Sequence, residues 1–228
     1  MFLDAGTSSI QRQVTLSGNQ AVAAGARGGA IANLGTLLLE NATVSGNSAV
    51  GSGGGLHSEA STTVRFVTIA WNQADVGGGL ASSGATLLMR NVILAGDAAT
   101  TSGAECEITT PAPDIASSLW QGTTCGASAT NGNQPATDAL LVPLDFSCAA
   151  GTSLELTRTD DLDTTSPARD TGVPLPGGNA FMDQRTVLRP QGLGTDIGAV
   201  EYSPSSCPWF FKNGFERGNT FAWSNVLD

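Results

Sequence analysis

The feature that most constrains this chain is a repeat of about 25 residues in its first half. Rows of short apolar-alternating sequence align as QVTLSGNQA (13–21), NATVSGNSA (41–49), FVTIAWNQA (66–74) and NVILAGDAA (91–99). Their anchors are Leu16, Val44, Ile69 and Leu94, and a second glycine-flanked landmark recurs at Ile31, Leu56 and Leu80. This period, with Gly and Asn between short runs and no helical periodicity, predicts one coil of a parallel β-solenoid per repeat.

Stacking of such coils arranges the equivalent residues of successive repeats in columns. Coils lie about 4.8 Å apart, so equivalent side chains lie above one another, and each coil buries its apolar face only against its neighbours. The inward columns are predicted to be Val14/Ala42/Val67/Val92 and Leu16/Val44/Ile69/Leu94. The polar columns are Asn19/Asn47/Asn72/Asp97 and Gln13/Asn41/Phe66/Asn91. Stacked amides can hydrogen-bond along the axis, so most of these polar residues are interpreted as architecture.

The repeat decays after residue 100, where loops rich in Pro and Gly separate short strands. The expected fold is therefore all-β: a right-handed parallel β-helix with irregular C-terminal coils and a cap. Residues 1–100 are predicted to form the regular coils, residues 101–202 the irregular coils and cap, and residues 203–228 a C-terminal tail. Four coils are few for a complete solenoid, so the N-terminal coil is expected to be an exposed end that can self-associate end to end.

The net charge of the chain makes some classes of binding partner unfavourable. The chain has 20 acidic and 10 basic residues, for a net charge of −10. Such a chain is expected to repel nucleic acid and anionic lipid. No cofactor is predicted from any motif, and no metal site from residue spacing, although the acidity leaves a bound divalent cation such as calcium open.

Export is the expected route for this chain. No apolar run reaches transmembrane length, and the first residues, MFLDAGTSSIQRQ, do not resemble a signal peptide. We therefore expect either that a signal has been removed or that the sequence is a piece of a longer chain. The predicted location is secreted or on the outer cell surface.

The chain has four cysteines, Cys106, Cys125, Cys148 and Cys207. Their spacing does not match a zinc site, and an even number in a chain rich in small polar residues favours disulfides and an oxidising compartment. The preferred pairing is Cys106 with Cys125 and Cys148 with Cys207. Four cysteines allow three pairings, and the sequence does not choose among them.

Three segments of the second half carry a family resemblance: SPARDTG (166–172), DQRTVLRP (183–190) and TDIGAVE (195–201). Together with rows such as LLLENATVSGNSAVGSGGGL, they resemble bacterial choice-of-anchor Q proteins over roughly residues 14–202. The resemblance implies a right-handed parallel β-helix, with repeats in the style of polymorphic outer-membrane proteins, and export to the surface. It implies no settled catalytic activity. The chain departs from the family after DQR, where a Gly often follows, and at Cys148, where the family often has Asn-Gly-Gly.

His57 is the only histidine and the centre of the candidate catalytic set. If Leu56 points inward, His57 and Glu59 point outward, and Ser83 lies one coil away on the same side. A serine, a histidine and an acid are the parts of a hydrolase triad. His57, Glu59 and Ser83 are therefore the candidate catalytic residues, although no nucleophile-elbow motif is present.

Two further features suggest ligand binding. Trp71 interrupts a column that otherwise reads Gly18/Gly46/Gly96, so its ring either stacks on a sugar or covers the next glycine. A charged column reads Arg12/Glu40/Arg65/Arg90. It is either a surface ladder of ion pairs or, through Arg65 and Arg90, a stripe that binds an anion or a uronate.

The sequence leaves two function classes open. The first is a secreted or cell-surface β-helix protein with a non-catalytic role in adhesion or glycan binding, whose partner is a carbohydrate or a host or cell-surface ligand. The second is a β-helix hydrolase or lyase that acts on a polysaccharide or an ester. The first is preferred, because structural columns account for nearly all of the repeats.

Overall fold

The computed structural model describes residues 1–84, 86–126, 129–147, 157–176 and 181–203, and side chains are not described at 145–147 and 157. These residues form strands, turns and bends but no helix. The strands are β1 (Phe2–Leu3), β2 (Ser8–Arg12), β3 (Thr15–Ser17), β4 (Gln20–Ala21), β5 (Ile31–Asn33), β6 (Thr36–Ser45), β7 (Ser48–Ala49), β8 (Leu56–Ser58), β9 (Thr62–Ala70), β10 (Gln73–Val76), β11 (Leu80–Ser82), β12 (Leu87–Ala95), β13 (Ala98–Ser102), β14 (Cys106–Ile108), β15 (Asp114–Ala116), β16 (Leu119–Trp120), β17 (Gln134–Pro135), β18 (Leu141–Ser147) and β19 (Thr157–Leu162).

Strands β1 to β17 form a parallel β-solenoid of about four turns. Each turn contributes to three parallel sheets: a front sheet in the order β1-β5-β8-β11-β14, a side sheet in the order β13-β10-β7-β4, and a long sheet in the order β17-β16-β12-β9-β6-β2, with β3 and β15 beside it. Pairing follows the repeat, since Leu56 lies between Ile31 and Leu80. The predicted parallel β-helix is confirmed.

The core fills the inside of the coils. Ala42, Val44 and Leu56 are fully buried, and so are their equivalents in the next two coils, so the predicted inward columns lie inward there. Val14 and Leu16 of the first coil are only partly buried, and Phe2 and Ile10 of the same coil are 62% and 58% exposed. Self-association through this coil stays a prediction.

A bend in the long sheet, which lies within β6, β9 and β12 and between β2 and β3, requires left-handed backbone. The column Gln13, Asn41, Phe66 and Asn91 has φ of 52°, 49°, 52° and 54°. Asparagine tolerates this region better than most residues, which explains its place in the column. Phe66 is the bulky exception, and contacts described below account for it.

The described part of the segment 158–203, here called the strap, lies along the outer face of the long sheet. The Thr43 hydroxyl donates to Gln184 Oε1 over 2.6 Å, and the Ala199 amide donates to the Thr68 hydroxyl over 3.0 Å. A second hydrophobic cluster fills this interface: Ile93, Ala95, Leu119, Ala139, Leu162, Ala168 and Ile197. Sequence reasoning did not foresee this packing beside the coils, and the division at residues 100 and 202 stays a prediction.

The three resemblance segments build a buried polar network in the strap. The Arg189 guanidinium lies 2.9 Å from Glu201 Oε2, both side chains are 1% exposed, and its carbon Cζ lies 4.4 Å from the centre of the Phe66 ring. A cation over an aromatic face is a favourable contact, which explains the bulky residue at this bend. Asp183 accepts hydrogen bonds from the amides of Arg185, Val187 and Glu201. These segments therefore hold the strap together.

A disulfide fastens the C-terminal turn of the solenoid. Cys106 begins β14, and Cys125, 19 residues later, pairs with it. Both cysteines are fully buried in the main core beside Trp120, which is 1% exposed. The first preferred pair is confirmed. Cys148 and Cys207 lie outside the described residues, so their pairing stays a prediction.

Candidate functional site

His57 lies in β8 of the front sheet, between Ala32 and Ala81 of the neighbouring strands. Its Nδ1 is 2.9 Å from the Ser52 hydroxyl, and its Nε2 is 3.2 Å from Glu59 Oε1. Glu59 also forms an ion pair with Arg27. Burial, with a smaller contribution from the positive charge of Arg27, lowers the pKa of His57 to about 4. The ring is therefore neutral at pH 7.

The hydroxyl beside His57 is that of Ser52. Ser83 is exposed, and its amide donates to the Ser58 carbonyl over 2.9 Å. Sequence reasoning placed Ser83 one coil away on the histidine's face but overlooked Ser52, because a residue in a turn has no fixed inward or outward alternation. In the structure, Ser52 forms bridges with Arg27 and Val76 of the neighbouring coils, and no repeat in the sequence predicted this position. The catalytic role of His57, Glu59 and Ser83 stays a prediction.

A shallow depression of about 270 Å³ lies next to this histidine. It is lined by apolar residues, the histidine and the Arg27–Glu59 ion pair: Phe2, Gly25, Arg27, Ala32, Leu34, His57 and Glu59. Ser52 is not among them. A molecule in this depression would therefore meet the ion pair and the histidine ring before any serine hydroxyl.

Trp71 occupies the bend between the long sheet and the side sheet. Its φ is 53°, and Gly18, Gly46 and Gly96 at the same bend have φ of 68°, 65° and 66°. The indole lies against Gly96, where an added Cβ would be 2.7 Å from the indole Nε1. An added Cβ at Gly18 or Gly46 would meet nothing within 4 Å. The ring thus covers one glycine and remains 37% exposed, on a corner that is open toward the earlier coils.

The outer face of the side sheet begins beside this ring. Gln20 and Gln73 are exposed, Val22 and Val50 are 74% and 44% exposed, and Thr100 donates a hydrogen bond of 2.7 Å to Asp75. A depression of about 160 Å³ lies on this face, between β4, β7, β10 and β13. The surface combines an aromatic ring, small apolar side chains, amides, a carboxylate and a hydroxyl.

The charged column forms ion pairs within the protein. Glu40 is fully buried between Arg12 Nε at 2.6 Å and Arg65 Nη2 at 2.8 Å. Arg90 lies 2.5 Å from Asp114. The expected position of Glu40 between two arginines is observed. Because Arg65 and Arg90 already contact carboxylates, a uronate at this stripe would compete with ion pairs inside the protein.

The described part of the chain contains no group of three or more His, Cys, Asp or Glu side chains arranged to hold a metal ion. The same residues form no membrane-spanning helix. That the chain has no cofactor stays a prediction, with a bound divalent cation such as calcium as the open alternative.

Comparison with known proteins gives no match for this chain: no protein-family model, no curated protein and no solved structure is significantly similar to it.

Proposed function

We propose that this protein is a secreted or cell-surface β-helix protein that binds carbohydrate without turning it over. The binding surface, here called the glycan face, is formed by Trp71 and the outer side of the side sheet: Gln20, Val22, Ser48, Val50, Gln73, Asp75 and Thr100. The observation that carries this proposal is the exposed tryptophan held in left-handed backbone in a column of glycines.

Left-handed backbone is unfavourable for a bulky residue. For residues other than glycine this region costs about 1–2 kcal/mol, and such strain concentrates at sites with a function. Glycine stands in the three equivalent positions and avoids the cost. The indole covers Gly96 and still leaves 37% of the tryptophan surface in solvent, so part of the ring is free to contact a ligand.

The chemistry of the glycan face suits a sugar. A tryptophan ring packs on apolar C–H surfaces and keeps a polar N–H available. Gln20, Gln73 and Asp75 carry amide and carboxylate groups that can exchange hydrogen bonds with sugar hydroxyls. The net charge of −10 disfavours anionic polymers, so neutral glycans or amino sugars are the proposed class.

We also propose a family and a cellular location for this protein. The three strap segments and the Gly/Asn-rich coils support membership of the choice-of-anchor Q family, and they form one folded unit here through the strap contacts. The buried Cys106–Cys125 disulfide supports an oxidising compartment and hence export. A surface location would bring the glycan face into contact with carbohydrate of a host or of neighbouring cells.

An array of immobilised neutral, amino-substituted and acidic glycans tests the proposal directly. We expect saturable binding to one or more neutral or amino-substituted glycans and recovery of the bound glycan with unchanged length. Shortening of the glycan during incubation would contradict a non-catalytic role. Binding only to acidic glycans would instead indicate that the site is the charged column that contains Arg65 and Arg90.

The hydrogen-bonded chain Ser52–His57–Glu59 favours an esterase or another hydrolase as the second candidate. If it is catalytic, hydrolysis of simple aryl esters should rise as pH increases through about 4, because the base form of His57 appears there. Ser52→Ala and His57→Ala should each abolish it. Ser83→Ala distinguishes the two serines: turnover should be unchanged if Ser52 is the nucleophile and should be lost if Ser83 is. The leading proposal expects no turnover in any of these proteins.

A further inference from the structure

An asparagine ladder at the Trp71 side of the coils ends on an acid. The amide N and Nδ2 of Asn47 donate to Asn72 Oδ1, both over 2.9 Å. In the next coil, the N and Nδ2 of Asn72 donate to Asp97 Oδ1 over 2.7 and 2.9 Å. Asp97 Oδ1 therefore plays the part that the side-chain oxygen plays in each asparagine.

The second hydrogen of each ladder amide also has a fixed acceptor. Asn47 Nδ2 donates to the Leu16 carbonyl over 2.9 Å, and Asn72 Nδ2 donates to the Val44 carbonyl over 3.0 Å. The strand register places Ile69 next in this column. In the fourth coil, Asp97 thus carries Oδ2 where an asparagine would carry the Nδ2 that donates to the Ile69 carbonyl.

The surroundings of this oxygen do not suit a negative charge. Asp97 is 6% exposed, and its Oδ2 is buried without a hydrogen-bond partner among the described residues. It lies close to Gly79, where an added Cβ would be 2.3 Å from Asp97 Oδ2. Two acceptor oxygens placed against each other in a dry site are costly unless one of them carries a hydrogen.

We propose that Asp97 holds a proton on Oδ2 in the folded protein at neutral pH and donates it to the main-chain carbonyl of Ile69, in place of an asparagine amide. The charged groups that face Asp97 are Glu105, just before β14, and Asp160 of β19. Burial raises the pKa of Asp97 well above its ordinary value, the hydrogen bonds from Asn72 lower it, and both carboxylates raise it further.

A proton on Asp97 in the folded protein determines how the stability of the protein changes with pH. A carboxyl whose pKa is higher in the folded protein contributes stability that is fully present below its unfolded pKa and is lost as pH rises through the folded pKa. Within that window the folding equilibrium constant of the wild type should fall by up to about tenfold per pH unit. Asp97→Asn supplies the amide permanently. It should remove this part of the slope and be the more stable protein at pH 9.

Urea unfolding of both proteins between pH 4 and pH 9 measures the difference. Burial also raises the pKa of Asp160, to about 7, and that of Glu105, so Asp160→Asn and Glu105→Gln are the controls that isolate the contribution of Asp97. An infrared band of a protonated carboxyl at pH 7, absent from Asp97→Asn, would support the proposal independently. Equal slopes in wild type and Asp97→Asn would overturn it. So would millimolar calcium that stabilises the wild type, but not Asp97→Asn, at pH 9, since a cation would then replace the proton.

Discussion

Replacement of Arg189 by methionine is expected to lower the free energy of unfolding by about 3–5 kcal/mol, the usual cost of removing one partner of a buried ion pair. Glu201 would keep its buried carboxylate but lose the guanidinium at 2.9 Å, and both side chains are 1% exposed. Methionine retains an unbranched apolar chain over Phe66, so lost packing contributes little, although the cation–π contact is lost together with the ion pair. Urea unfolding at pH 7, followed by circular dichroism and tryptophan fluorescence, measures the change.

Arg90→Met is the matched control. Its partner Asp114 is 58% exposed, so this pair should contribute at most about 1 kcal/mol. Addition of Glu201→Gln to Arg189→Met should recover part of the loss, because it removes the unpaired buried charge. Similar destabilisation by Arg189→Met and Arg90→Met would show that the strap network does not hold the strap on the long sheet.

Removal of the Cys106–Cys125 disulfide has the second large expected effect. The bond joins residues 19 apart, and a loop of this length contributes about 3 kcal/mol by restricting the unfolded chain. Because both cysteines are buried in the main core, Cys106→Ala with Cys125→Ala should also loosen the packing around Trp120. Thermal unfolding of the double variant should therefore occur at a clearly lower temperature than that of the wild type.

Reductant provides the control for this prediction. In reductant, the wild type should unfold near the temperature of the double variant in reductant, because the Cys106–Cys125 bond is then absent from both proteins. The double variant keeps Cys148 and Cys207, so any further fall in its unfolding temperature on addition of reductant measures the predicted bond between them. If the double variant matched the oxidised wild type, the disulfide would not be what fastens the C-terminal turn.

The solenoid could be predicted from the sequence because its contacts repeat. A residue such as Val44 meets its equivalents in the coils above and below, so one period fixes the inward columns, the amide ladder and the bends. The disulfide was predictable only as a preference. The strap was not predicted, because its contacts with Thr43 and Thr68 join residues more than 100 apart without any period.

At the candidate sites too, the sequence predicted only the positions that follow from the repeat or from strand alternation. The sequence indicated that His57 lies beside Glu59, because residues two apart in extended chain point to the same side, and the structure places their side chains 3.2 Å apart. Sequence reasoning overlooked Ser52, whose position depends on the path of a glycine-rich turn. It identified Trp71 as exceptional in its column but could not say whether the ring covers Gly96 or faces solvent. In the structure it does both.

The most direct test of the proposed function is a calorimetric titration of wild type and Trp71→Gly with the oligosaccharide that gives the strongest array signal. Glycine is the residue of the equivalent bends and is unstrained at this φ, so the variant should fold as the wild type does. We expect its affinity to fall roughly tenfold or more, about 1.4 kcal/mol, while Arg90→Ala binds like the wild type. Wild-type affinity in Trp71→Gly would contradict carbohydrate binding at the glycan face.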